Sequence, residues 1–169
     1  MGTSGSVDYS ISRNDLIKQA LRIIGSTASG ETPDADEVSE ANEVLNQILK
    51  AWSADGMHVW KRTEISNTLV TGKEKYLIGP SGDINTVRPL KVQYAFRRNS
   101  SNVDTELFRI SMEEYWRLPQ KTRSNGTTTQ YAFDPQLGNS VLYVWPPMSD
   151  SNSTVHLQCD LPIEDMDSS

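Results

Sequence analysis

Apolar residues recur with two different periods along this chain, and the change falls just after Gly56. In the first stretch, Leu16, Ala20, Ile23 and Ile24 share one helical face, with Ile17 and Leu21 beside it. Ser12, followed by Asp15, reads as an N-terminal cap of the capping-box kind, with Asp in place of the usual Glu. Gly25 closes this helix. A polar connection, residues 26–31, leads to a longer run from Thr32 to Trp60. There Thr32 is placed to cap, Pro33 suits the first helical position, and Asp34, Asp36 and Glu37 set negative charge at the positive end of the helix dipole. Val38, Ala41, Val44, Leu45, Ile48 and Trp52 form one apolar stripe, and Gly56 falls just past the end. A short helix alone is marginal in water, so the two are expected to pack as an antiparallel pair. Leu16, Ala20 and Ile23 then meet the stripe. The opposite face, with Glu40, Glu43, Gln47 and Lys50, is left to meet a neighbouring subunit.

Beyond Gly56 the period shortens to two. Val59 to Ile65 and Thr68 to Val70 read as extended, with a turn at Thr71-Gly72-Lys73 and a short strand over Lys75 to Ile78. Residues 79–83, rich in Gly, Pro, Ser and Asp, are a loop. Leu90, Val92, Tyr94 and Phe96 alternate with Lys91, Gln93 and Ala95 as in a half-buried strand, and Arg97 to Asp104 follows as a polar loop. After a short strand at Leu107 to Ile110, Ser111 and Glu114 form a capping box that opens a helix ended by Pro119, with Tyr115 and Trp116 to anchor it on a sheet. Lys121 to Thr129 is polar, with a turn at Asn125-Gly126. Strands are expected at Tyr131 to Phe133, Val141 to Trp145 and Val155 to Leu161, the second stopped by Pro146-Pro147 and the third by Pro162. The fold class is therefore α+β: an N-terminal antiparallel helix pair, then a mostly antiparallel β region with one short inserted helix. Residues 1–10 read as a flexible leader, 11–57 as a helical domain, 58–162 as a β-rich domain and 163–169 as a polar tail.

Composition narrows the chemistry. The 169 residues carry a formal net charge of −6, which disfavours gripping nucleic acid through its phosphates but suits a wall past which DNA slides. Cys159 is the one cysteine, so neither an intramolecular disulfide nor a cysteine-based zinc site is expected; it reads as a strand residue turned inward. No run approaches the length of a membrane span, and MGTSGSVD lacks the apolar core of a signal peptide. His58 and His156 stand far apart and in no metal-ligand spacing. Glu113 and Glu114 point to different helix faces, Glu114 being occupied in its cap, and the acids of Glu164 to Asp167 lie in the polar tail. No nucleophile, P-loop or dinucleotide motif occurs, so no enzyme activity and no cofactor or metal is expected. The basic clusters are Lys61-Arg62 and Arg97-Arg98, the latter a candidate for subunit contact. Exposed Trp and Tyr beside the polar loops at 97–104 and 121–129 would instead serve a receptor- or carbohydrate-binding module of a virion or cell surface.

Three stretches carry a family likeness. They are DLIKQALRIIG, the run ADEVSEANEVLNQILKAWSADGMHVW with Ala41-Asn42-Glu43-Val44-Leu45-Asn46 followed by Trp52, Gly56 and Trp60, and the exit LPIEDMD from Leu161 to Asp167; a Tyr76-Leu77 step lies between. In these the chain resembles the head-to-tail adaptor (connector) proteins of short-tailed phages, the group that includes the T7-like tail tubular protein A. The resemblance implies a structural virion protein, assembled in the host cytoplasm. Its copies would form a homo-oligomeric ring, a dodecamer, below the portal protein and above a tail tube or nozzle protein. DNA would pass through the centre for retention and ejection, without sequence-specific binding. Glu40, Glu43, Gln47, Lys50, Arg97 and Arg98 are the residues expected at subunit contacts. Members of that family continue past this exit into further helices; against that pattern these residues are either part of such a chain, with the helical layer incomplete, or a shorter relative.

Overall fold

The computed structural model describes residues 11–55, 62–122 and 126–162. The protein is mixed α+β with mostly antiparallel sheets. It divides into two compact units, Met1–Met57 with Ile163–Ser169, and His58–Pro162. The leader, Gly56, His58, Trp60, Lys61, Asn125 and the acidic tail lie outside the described residues.

The first unit holds α1 (Arg13–Ile23) and α2 (Ala35–Ala54). Ser12 caps α1: its Oγ accepts from the Asp15 amide at 3.1 Å and donates to the Asp15 carboxylate at 2.6 Å. Gly25, at φ +78°, ends the helix, with its amide donating to the Arg22 carbonyl and that of Ser26 to Leu21. This is the paired bonding of a Schellman motif, which a left-handed glycine allows. The start of α2 differs from expectation. Asp34, not Thr32, stands at the cap: its carbonyl accepts from the Val38 amide (3.1 Å) and its carboxylate from the Ala35 amide (2.7 Å). Asp is the stronger capping residue, and Pro33 disfavours helical backbone at Thr32. The stripe on α2 is also less covered than a core face: Val44 is 53% and Trp52 44% exposed, and Ile23 on α1 is 85% exposed. Ile17 is the one apolar side chain of this unit that is buried among the described residues.

The second unit is built on two four-stranded sheets. Strands β1 (Arg62–Thr68), β8 (Thr154–Asp160), β3 (Lys91–Arg98) and β4 (Asp104–Glu106) lie side by side in that order in one. The other runs β2 (Lys75–Ile78), β7 (Ser140–Trp145), β6 (Gln130–Asp134), β5 (Phe108–Arg109), with β5 parallel to β6 and the remaining pairs antiparallel. Both sheets feed one core: Val155, Leu157 and Cys159 alternate inward from β8, and Leu142, Val144, Tyr131 and Phe133 come from the other side. A short helix, α3 (Met112–Arg117), follows β5, and its capping box is reciprocal: Ser111 Oγ accepts from the Glu114 amide, and the Glu114 carboxylate from the Ser111 amide. Tyr115 is buried against Tyr143, whereas Trp116 remains 61% exposed, so only the first of the two rings anchors α3 fully.

The largest departure from the predicted pattern is in β3. Val92 pairs with Cys159 and Tyr94 with Gln158, consecutive partners on β8, so Gln93 is an extra residue and the strand is bulged. Past it, inside and outside exchange. Ala95 is buried opposite Leu157, and Tyr94 and Phe96 turn away from the core. The strand also runs further than expected. Arg97 and Arg98 belong to it, and Asp104–Glu106 forms β4, so the predicted loop is a hairpin whose turn, at residues 99–103, is held by the Asn99 side chain accepting from Ser101 and Val103 amides.

Gln93 is bound where the bulge puts it: its amide donates to the carboxylate of Asp160, which is fully buried at the end of β8 and also accepts from Arg62 Nε of β1 at 3.0 Å. One carboxylate thus joins three strands. Gln93→Ala, which withdraws a donor from a buried charge, is expected to destabilise the protein by about 1–3 kcal/mol in urea unfolding. Gln158→Ala, on the solvent side of β8, should stay within about 0.5 kcal/mol. Equal losses would contradict the role given to Asp160.

Candidate interaction surface

The bulge exposes a mixed aromatic and charged surface on the outer side of the β1-β8-β3-β4 sheet. Side chains from four strands make a continuous row there. His156 Nδ1–H donates to Glu64 Oε1 at 2.7 Å, which sets the imidazole tautomer, because a carboxylate only accepts. The imidazole stacks on Phe96, with ring centres 4.7 Å apart and planes within 5°. The Arg98 guanidinium lies 5.4 Å from the Phe96 centre and pairs bidentately with Asp104 at 2.6 and 2.7 Å. That pairing raises the Arg98 pKa and holds the Asp104 carboxyl below its ordinary range. Beside this row, Glu64, Tyr94, Phe96 and Gln158 line a hollow of about 180 Å³.

Arg97 faces the other way and is partly buried, donating to Ser153 Oγ (3.1 Å) and Thr105 Oγ1 (3.3 Å). The two arginines of the basic cluster thus have separate surroundings, and Arg98 is neutralised by its own hairpin. In the first unit, Glu40, Glu43, Gln47 and Lys50 are exposed along one side of α2. Residues of α1, among them Leu16 and Ala20, and of α2, among them Ala41, Val44 and Ile48, line an apolar groove of about 300 Å³. The outer-sheet row has one sequence signal, the alternation of Tyr94, Phe96 and Arg98; what hid it is the bulge, which has no signature of Gly or Pro.

Elsewhere, burial and hydrogen bonding shift single groups. Burial pushes the Tyr115 hydroxyl up to about 12. At Asp83, burial raises the pKa, but hydrogen bonds from Lys73 and the Leu77 amide outweigh it and the net shift is downward. Among the described residues there is no group of side chains able to hold a metal ion, and no helix long and apolar enough to cross a membrane.

Cys159 is buried between β1 and β3, and burial, with the adjacent Asp160, pushes its thiol up from 9.0 to about 12. The folded protein therefore holds this proton more tightly than the unfolded chain. Its contribution to stability is complete below 9.0 and is lost as pH rises toward about 12. At pH 8, Ellman's reagent should label native Cys159 at least about 100-fold more slowly than the urea-unfolded chain. Urea midpoints should fall as pH is raised above the ordinary thiol range. Rapid native labelling would contradict this placement. Compared with models of known protein families and with curated proteins, the chain matches none.

Proposed function

We propose that this protein is a structural adaptor at the head-to-tail junction of a short-tailed phage. In this reading its copies form a ring below the portal, and DNA passes through the ring. The observation that carries the reading is the uncovered apolar surface of the first unit. Val44, Ile48 and Trp52 are exposed on one side of α2, and Ile23 and Ile24 at the end of α1. Apolar surface of this extent marks a contact with another chain. We take the two helices to pack as an antiparallel pair; the shared apolar groove and the hydrogen bond from Ser26 Oγ to Glu37 (3.1 Å) support this.

A ring needs two different patches on each copy that meet head to tail and close. In this reading the apolar side of the helix pair is one of them. Glu40, Glu43, Gln47 and Lys50 form its polar rim, the arrangement of a specific interface with a dry centre and wet edge. The net charge of −6 suits a channel that repels phosphate and leaves DNA free to move. Positioning and passage need no turnover chemistry.

Negative-stain electron microscopy of the chain, alone and mixed with the portal protein, tests the reading. The expected images are rings with a central hole wide enough for duplex DNA. The doubly substituted Val44→Glu, Ile48→Glu chain should lose the rings while its circular dichroism keeps the helical and sheet signals. A chain that remains monomeric and leaves portal protein unbound contradicts the proposal, as do rings that survive the double substitution.

A further inference from the structure

Arg98 displays how the outer sheet surface holds a guanidinium. The planar group lies against the Phe96 ring and gives two hydrogen bonds to the Asp104 carboxylate. Two residues before Phe96 on the same side of β3, the same combination recurs with no guanidinium of the described residues seated on it. Tyr94 is 67% exposed, and across β8 from it stands Glu64, both paired with Gln158 in the sheet. With Phe96 and Gln158 they line the hollow of about 180 Å³. Glu64 gives Oε1 to His156, while its other oxygen, the Gln158 amide and the Tyr94 hydroxyl take no hydrogen bond among the described residues.

These groups select their ligand. An aromatic ring beside a carboxylate attracts a cation, through the negative face of the ring and through direct charge. A guanidinium fits better than an ammonium, because it is planar and weakly hydrated, lies flat on a ring, and offers a fork of donors to two acceptors at once. The Glu64 oxygen and the Gln158 side-chain carbonyl are those two acceptors. We propose that this hollow takes an arginine side chain from a basic partner chain. The partner is of a different kind from this chain: with a net charge of −6 the chain as a whole draws a basic partner, and the one carboxylate lining the hollow, Glu64, offers no charge complement to a second acidic copy. The inference rests on the outer sheet surface alone and stands apart from the ring reading.

The test is a titration of the isotope-labelled full chain with N-acetyl-arginine amide, followed by NMR. Saturable shifts are expected at Glu64, Tyr94 and Gln158. N-acetyl-citrulline amide, a neutral isostere, should leave these signals nearly unmoved. Glu64→Gln, a substitution at an exposed side chain, should weaken binding about tenfold through loss of the charge-assisted bond. Tyr94→Leu should weaken it about fivefold through loss of the ring face. The proposal is overturned if arginine moves none of these signals or if citrulline moves them equally. It is also overturned if a methyl glycoside moves them while arginine does not, which would make the hollow a sugar site. Shifts at these residues that grow with protein concentration, without any ligand, would assign the hollow to a second copy and overturn the partner named here.

Discussion

A buried carboxylate holds the β unit in register. Asp160 ends the central strand β8 of its sheet and binds Arg62 on one side and Gln93 on the other. A charge in that position is tolerated only if donors surround it, because the cost of removing it from water is otherwise unrecovered. Gln93 can supply its donor only by stepping out of the ladder, and that step is the bulge. The irregularity of β3 and the satisfaction of Asp160 are therefore one feature seen from two strands.

The consequences spread along β3. With Gln93 extra, Val92 and Ala95 both face the core, opposite Cys159 and Leu157, although three positions separate them. Ala95 is small enough to lie beneath the rings of the opposing sheet, where Tyr94 or Phe96 would overfill a core already occupied by Tyr76, Tyr131 and Phe133. The displaced rings go outside. Phe96 there stacks on His156, which in turn orders Glu64, and Arg98 closes the row with Asp104. An interaction at one end of β8 thus determines which side chains the protein offers to solvent across four strands.

Much of this architecture was legible in the sequence, for identifiable reasons. Helix ends were marked by local bonding that needs no tertiary partner: Ser12 with Asp15, Ser111 with Glu114, and left-handed Gly25. The strands β2, β6, β7 and β8 were bounded by Gly, Pro and Asp clusters; the alternation read over Val155 to Leu161 matches the burial of β8, and the apolar run of Val141 to Trp145 matches a β7 buried along most of its length. The start of α2 was misplaced by two residues because Thr32 and Asp34 both suit a cap, and only the backbone bond from Val38 distinguishes them. The orientation of Tyr94 and Phe96 was illegible. A bulge formed by an ordinary Gln leaves the two-residue period intact in the sequence while inverting it in space, and its cause, Asp160, is 67 residues away. The parallel pairing of β5 with β6 was hidden for a different reason, since two residues carry no pattern of their own.

The first unit poses the opposite case, in which the period was plain but its cover was not. The apolar stripe on α2 is only partly covered, and Val44, Ile48 and Trp52 stay open. The proposed ring contact would draw on that surplus, whereas the outer sheet surface depends on the bulge. The direct measurement of the bulge is thiol labelling of two single variants, Tyr94→Cys and Ala95→Cys, each with native Cys159 as an internal buried reference. The account predicts rapid labelling at position 94 and protection at position 95 under native conditions. Protection at 94 with rapid labelling at 95 would mean that β3 alternates without interruption, and would contradict it.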